Sequence, residues 1–87
     1  MAWTINFLPS ASKEFKKLDK TVASRIFSYL KEVAELEDPT QRGKALTGNL
    51  SGYWRYRIGN YRVITQIENG EMTILVVKVN HRSQVYN

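Results

Sequence analysis

Trp3-Thr4-Ile5-Asn6-Phe7 alternates apolar and polar side chains, the period of a short half-buried strand. Leu8-Pro9-Ser10 ends it. Ser10 is a suitable helix N-cap, and Ala11, Phe15 and Leu18 then line one face of a short helix. Asp19 can break that helix and cap the next. Val22, Ile26, Tyr29, Leu30, Val33 and Leu36 form a longer helical stripe. Glu37-Asp38-Pro39 stops it, because a residue before proline is pushed out of helical geometry. Thr40 to Gly52 contains Gly43, Gly48 and Gly52 and reads as a loop. From Tyr53 onward the period is two. Tyr53–Ile58, Tyr61–Ile67 and Glu71–Val79 read as strands, joined by Gly59-Asn60 and Asn69-Gly70 as two-residue hairpin turns.

The order is β-α-α-β-β-β, an α+β fold: an antiparallel meander with two N-terminal helices on one face, in a single domain over residues 1–87. A Gly59-Asn60 turn of two residues sets Ile58 opposite Tyr61, Arg57 opposite Arg62 and Tyr56 opposite Val63. The faces then separate. Trp54, Tyr56, Ile58, Val63, Ile67, Met72, Ile74 and Val76 form the apolar face for the helices to cover. Arg55, Arg57, Arg62 and Gln66 share the open face with Ile64, Leu75 and Val77.

Charge sharpens that division. Of the net +5, residues 1–39 contribute nothing, with six basic and six acidic side chains. Residues 40–87 hold Arg42, Lys44, Arg55, Arg57, Arg62, Lys78 and Arg82 against only Glu68 and Glu71. Five of those seven cations are arginine, whose planar fork suits phosphate. Two arginines directly opposed on one sheet face repel unless an anion relieves them. A phosphate-binding face follows, with Lys44, Arg55 and Lys78 as RNA contacts; plain solubility is the alternative reading of the same charge.

The remaining composition narrows the chemistry. There is no cysteine, so no disulfide, no thiol nucleophile and no cysteine zinc site is available. The one histidine, His81, does not make a metal site by itself, and no metal or other cofactor is expected. Walker, dinucleotide-binding and zincin motifs are absent. The longest apolar run is Ile74-Leu75-Val76-Val77, far below the ~20 residues of a membrane span. Met1 to Thr4 has no secretory character, so the expectation is a cytoplasmic protein without a membrane partner. Arginine, tyrosine, lysine and one histidine suit RNA cleavage by transfer to the neighbouring 2′-hydroxyl. Cations would stabilise the phosphorane and a proton donor would assist the leaving oxygen. His81 is the candidate acid or base, histidine being the side-chain type best suited to proton transfer near neutral pH.

Leu46-Thr47-Gly48-Asn49-Leu50-Ser51-Gly52-Tyr53-Trp54-Arg55-Tyr56-Arg57-Ile58-Gly59-Asn60-Tyr61-Arg62-Val63 resembles the central block of RelE-type toxins in the RelE/ParE superfamily. His81-Arg82-Ser83-Gln84-Val85-Tyr86 resembles the family's terminal His-Arg-x-x-x-Tyr signature. The resemblance covers nearly the whole chain. It implies a type II toxin that cleaves mRNA in the ribosomal A site and is neutralised by a cognate antitoxin. Arg62 then matches the arginine that stabilises the transition state, Arg82 the second arginine, and Tyr86 the terminal tyrosine that orients the substrate. Arg57 and Arg55 stand where well-known members carry lysine, and Lys44 lies in the basic loop before the block. Arginine does not deprotonate, so neither Arg55 nor Arg57 can be a general base. Some members carry a C-terminal helix beyond the point where this sequence ends, so no antitoxin contact through such a helix is expected.

The partners implied are ribosome, mRNA and an antitoxin with an acidic toxin-binding segment. The toxin alone would be monomeric and would form a hetero-oligomer with that antitoxin. Two other functions fit the same sequence. One is the gyrase-poisoning branch of the superfamily. The other is a non-catalytic RNA- or ribosome-binding domain.

Overall fold

A computed structural model describes residues 3–81. Strand β1 (Thr4–Phe7) leads into helix α1 (Pro9–Lys16) and helix α2 (Lys20–Ala34). A short edge strand β2 (Lys44–Ala45) follows, then β3 (Tyr53–Ile58), β4 (Tyr61–Glu68) and β5 (Thr73–His81). The sheet order is β1-β5-β4-β3-β2. The α+β class and the β3-β4-β5 meander are as the sequence implies. The sheet itself is mixed, because β1 lies parallel to β5, pairing Thr4 with Thr73 and Phe7 with Val76. The helical hairpin supplies the crossover that such a parallel pairing requires.

Local chemistry explains the element ends. Helix α1 begins at Pro9 rather than after Ser10, and Leu8 occupies the cap position without a side-chain bond. Proline at the first helical position brings the helical φ with it and lacks only an N–H that the helix would leave unused. Asp19 caps α2 as its position suggested, its carboxylate accepting from the Thr21 N–H at 3.1 Å. Asp38 does the same for a single 3-10 turn, Pro39–Arg42, accepting from the Thr40 N–H and hydroxyl. The segment read as loop therefore contains a capped turn and the two-residue strand β2, paired with β3 through Lys44–Arg55 and Ala45–Trp54.

The core lies between the helices and one sheet face. Ala11, Ile26, Leu30 and Val33 from the helices meet Tyr56, Ile58, Val63, Ile74 and Val76 from the sheet. Phe7 and Phe15 meet with ring centroids 5.1 Å apart, and Tyr29 meets Tyr56 edge-on at 6.4 Å. Trp54, Ile67 and Met72 pack at the margin. Burying these side chains contributes about 1.5–3 kcal/mol for each large aliphatic or aromatic residue. Among the described residues no helix is long and apolar enough to cross a membrane.

The two predicted hairpins differ. At Gly59-Asn60 the ladder closes with Ile58 against Tyr61, and Gly59 alone takes a positive φ, +58°. That is the type II′ pattern, with glycine first. At Asn69-Gly70 the expected two-residue turn is not formed. Glu68 pairs with Thr73, so four residues make the connection, and β5 starts at Thr73 rather than Glu71. Met72 is left-handed there, at φ 48°, and its apolar side chain packs against the core. Burial of that side chain offsets a backbone cost of about 1–2 kcal/mol.

Candidate nucleic-acid interface

The open face of the sheet is organised by register. Arg57 lies opposite Arg62, as the turn arithmetic requires, and Asn80 continues that row on β5. The next row runs Lys44, Arg55, Ile64, Lys78 across four strands. The pair closing a two-residue turn exchanges both ladder bonds, so the Arg57–Arg62 pair is the close kind, with Cα atoms about 4.5 Å apart. Two guanidinium groups thus start from neighbouring points on one surface. Arg57, Lys44 and Lys78 are exposed, and Arg55 and Arg62 are half-buried. Lys44, Arg55, Arg57 and Lys78 make no ion pair among the described residues. The acidic residue nearest in strand order, Glu68, stands six positions along β4 from Arg62, about 20 Å away. The described salt bridge, Arg42 to Glu32 at 3.0 Å, lies off this face.

A β-bulge decides which side chains join the cluster. Between Ile64 and Thr65 the β4–β5 register shifts by one residue, so that Thr65 faces Val76 while Ile64 faces Lys78, leaving Val77 extra. Strict alternation from Ile74 and Val76 would drive Lys78 into the core and turn Val79 and His81 to the open face. The bulge reverses all three. Lys78 is exposed on the open face, opposite Ile64 and in the row of Arg55, while Val79 is buried opposite Val63. His81 pairs with Tyr61 on the helix face, its ring edge-on at 5.0 Å. It helps line a cleft of about 280 Å³ with Glu14, Lys17, Leu18, Tyr61 and Val79.

The structure therefore brings five predicted residues together: Arg57 and Arg62 in one row, Lys44, Arg55 and Lys78 in the next. It does not bring His81 to that face. Arg82 and Tyr86 lie outside the described residues. Sequence reasoning passed over Asn80, which the bulge sets beside Arg62; a polar residue two places beyond an exposed lysine was the available signal. Chemically, the face offers a concentrated set of planar and point cations with exposed donors. Such a set neutralises phosphate charge and would stabilise a phosphorane.

The chain matches the sequence model of a family described as the ParE toxin of the type II toxin–antitoxin system parDE, over residues 5–86. It is 32% identical to the mRNA interferase toxin RelE of Escherichia coli over 90 aligned positions, covering 100% of this chain and 93% of that one. It is 27% identical to toxin RelG of Mycobacterium tuberculosis, covering 99% and 98%. Its fold is similar to a chain of the RelBE2 toxin–antitoxin complex of Mycobacterium tuberculosis, with TM-score 0.84 at 24% identity, over 97% of this chain and 95% of that one. The isolated Escherichia coli RelE toxin superposes with TM-score 0.77 at 20% identity, over 97% and 88%. With the sequence match running the length of the chain and the same fold around it, the protein belongs to the RelE/ParE family of type II toxins.

Proposed function

We propose that this toxin is a ribosome-dependent endoribonuclease that cleaves mRNA in the A site and thereby stops translation. The observation that carries the reading is the opposed pair Arg57–Arg62 on an open face whose next row adds Lys44, Arg55 and Lys78. The relative named mRNA interferase supports it.

The chemistry follows from the inventory of the face. A ribose 2′-hydroxyl attacks the adjacent phosphorus. The bond to the 5′-oxygen of the next nucleotide breaks; the 2′-hydroxyl gives its proton to solvent water and the departing 5′-oxygen takes one from solvent water, leaving a 2′,3′-cyclic phosphate and a free 5′-hydroxyl. Negative charge on the phosphorane peaks between these events. Arg57 and Arg62 donate to its non-bridging oxygens, while Lys44, Arg55 and Lys78 hold flanking phosphates. Loss of one such preorganised donor typically costs a factor of about 10²–10³ in rate. No metal enters this scheme, since the guanidinium groups supply the positive charge. Neither arginine accepts a proton, so the rate comes chiefly from electrostatic stabilisation and from substrate geometry imposed by the ribosome. The proposed reaction does not draw on His81, which the bulge holds on the helix face.

A cognate antitoxin completes the reading. Similar folds occur in complexes with antitoxins from bacteria and archaea. A basic face without matching carboxylates calls for an acidic segment that folds over it.

The family model that matches bears the name of the ParE toxin, which favours gyrase poisoning as the second reading. Inducing the protein in cells and mapping mRNA ends on translating ribosomes separates the two. Cuts inside codons are expected. Intact mRNA with an induced DNA-damage response would overturn the nuclease reading in favour of gyrase. Intact mRNA without that response would leave a non-catalytic binding domain.

A further inference from the structure

The bulge in β5 has a polar anchor on the far side of the sheet. Because Arg57–Arg62 is a non-bonded pair, the backbone of Arg62 turns towards β5 and bonds at Asn80. Val63–Val79 is then non-bonded in its turn, and the Val79 N–H points away from β4. On that side β1 has already ended, its last contacts being Phe7 paired with Val76 and the Leu8 N–H donating to the Val76 carbonyl at 2.9 Å. A strand N–H without a neighbouring strand and cut off from water is costly to leave unbonded. Glu14 of α1 meets it instead: its Oε1 accepts from the Val79 N–H at 3.1 Å.

This bond belongs to the bulged register alone. A slip of one residue that removed the bulge would turn the Val79 N–H towards β4 and carry Lys78 to the helix face. The burial of Val79 against Val63 pulls the same way, but it sets only which side chain faces the core. The carboxylate fixes the backbone itself.

We propose that Glu14, on the helix side of the sheet, is the positioning residue of the basic face: by accepting from the Val79 N–H it holds the bulge that presents Lys78 in the row of Arg55 and Asn80 beside Arg62. The proposal rests on the RNA-binding reading of that face.

Two readouts on the purified full-length protein test it. The first needs no RNA: hydrogen exchange of the Val79 amide in the wild type, Glu14→Gln and Glu14→Asp. Glutamine keeps the acceptor oxygen at its distance, whereas aspartate keeps the charge and falls one methylene short. The Val79 amide is expected to stay protected with glutamine and to exchange about tenfold faster with aspartate, the worth of one ordinary hydrogen bond. The second is the salt dependence of binding to a short single-stranded RNA. Lys78→Ala should lower the slope by about 0.7 in the wild type and in Glu14→Gln, the share of one phosphate contact, and leave it unchanged in Glu14→Asp. An unchanged Val79 amide in Glu14→Asp, or the same Lys78 contribution in all three backgrounds, overturns the proposal. If Arg57→Ala and Lys78→Ala both leave RNA binding unaltered in the wild type, the RNA reading fails. The Val79 exchange result then decides the positioning claim alone.

Discussion

The Tyr56 hydroxyl sits inside the core, where it donates to the Pro39 carbonyl at 2.6 Å. Gly43 makes the room: a Cβ there would lie 3.1 Å from the Tyr56 ring. Burial pushes the Tyr56 hydroxyl up to about 12, because the phenolate would lose its water. A tyrosine in the unfolded chain titrates near 10. The folded form thus holds its proton more tightly, and this stabilisation is complete below about pH 10 and is lost as pH rises to about 12. Urea unfolding measured across that range should show falling stability in the wild type. Tyr56→Phe, which cannot titrate, should be less stable at neutral pH by about 1 kcal/mol and lack Tyr56's share of that alkaline loss. A parallel loss in both proteins would contradict the assignment. Period two pointed Tyr56 inward, but its bond to Pro39 was not legible, since that depends on where a loop seventeen residues away returns.

Among the elements, β5 separates what patterning conveys from what it does not. The alternation in Tyr53–Ile58 and Tyr61–Ile67, with a glycine-first turn between them, is enough to fix the Arg57–Arg62 opposition. Nothing in Ile74-Leu75-Val76-Val77 marks the bulge, because every residue there is apolar and either register buries some of them. The signal lies downstream: an exposed lysine followed by a buried valine makes sense only after a one-residue slip. Asn69-Gly70 misled for a related reason. Its dipeptide favours a tight turn, but burying Met72 outweighs the local preference. The bulge yields a prediction about chemistry. His81→Gln is expected to leave mRNA cleavage within a few-fold of wild type, measured as initial rates on ribosome-bound message. A loss comparable to that of Arg62→Ala would show that His81 reaches the reacting phosphate despite facing the helices.

At the scale of the whole molecule, a neutral helical layer backs a basic sheet. The net charge of +5 is therefore a directional property, concentrated on the surface that lacks helices. Five cations on that surface should give single-stranded RNA binding a log–log salt slope of about −3.5, and each alanine substitution in the rows should remove about 0.7. A slope near zero would mean that the face does not bind phosphates. The same asymmetry underlies the proposal that an acidic antitoxin segment covers this face. Fold class, helix hairpin, core face and arginine rows were all legible from periodicity, turn chemistry and charge; the parallel β1–β5 pairing and the facing of His81 were not, because both depend on contacts distant in sequence. The central claim is that Arg62 stabilises a phosphorane formed on A-site mRNA. Its most direct test is a reconstituted ribosome carrying a defined message, treated with wild type or Arg62→Ala, with both the cleavage rate and the chemistry of the new ends recorded. The account predicts one cut within the A-site codon, a 2′,3′-cyclic phosphate end, and a rate lower by about 10²–10³ in the folded variant. An uncut message, a 3′-hydroxyl end, or equal rates for the two proteins would contradict it.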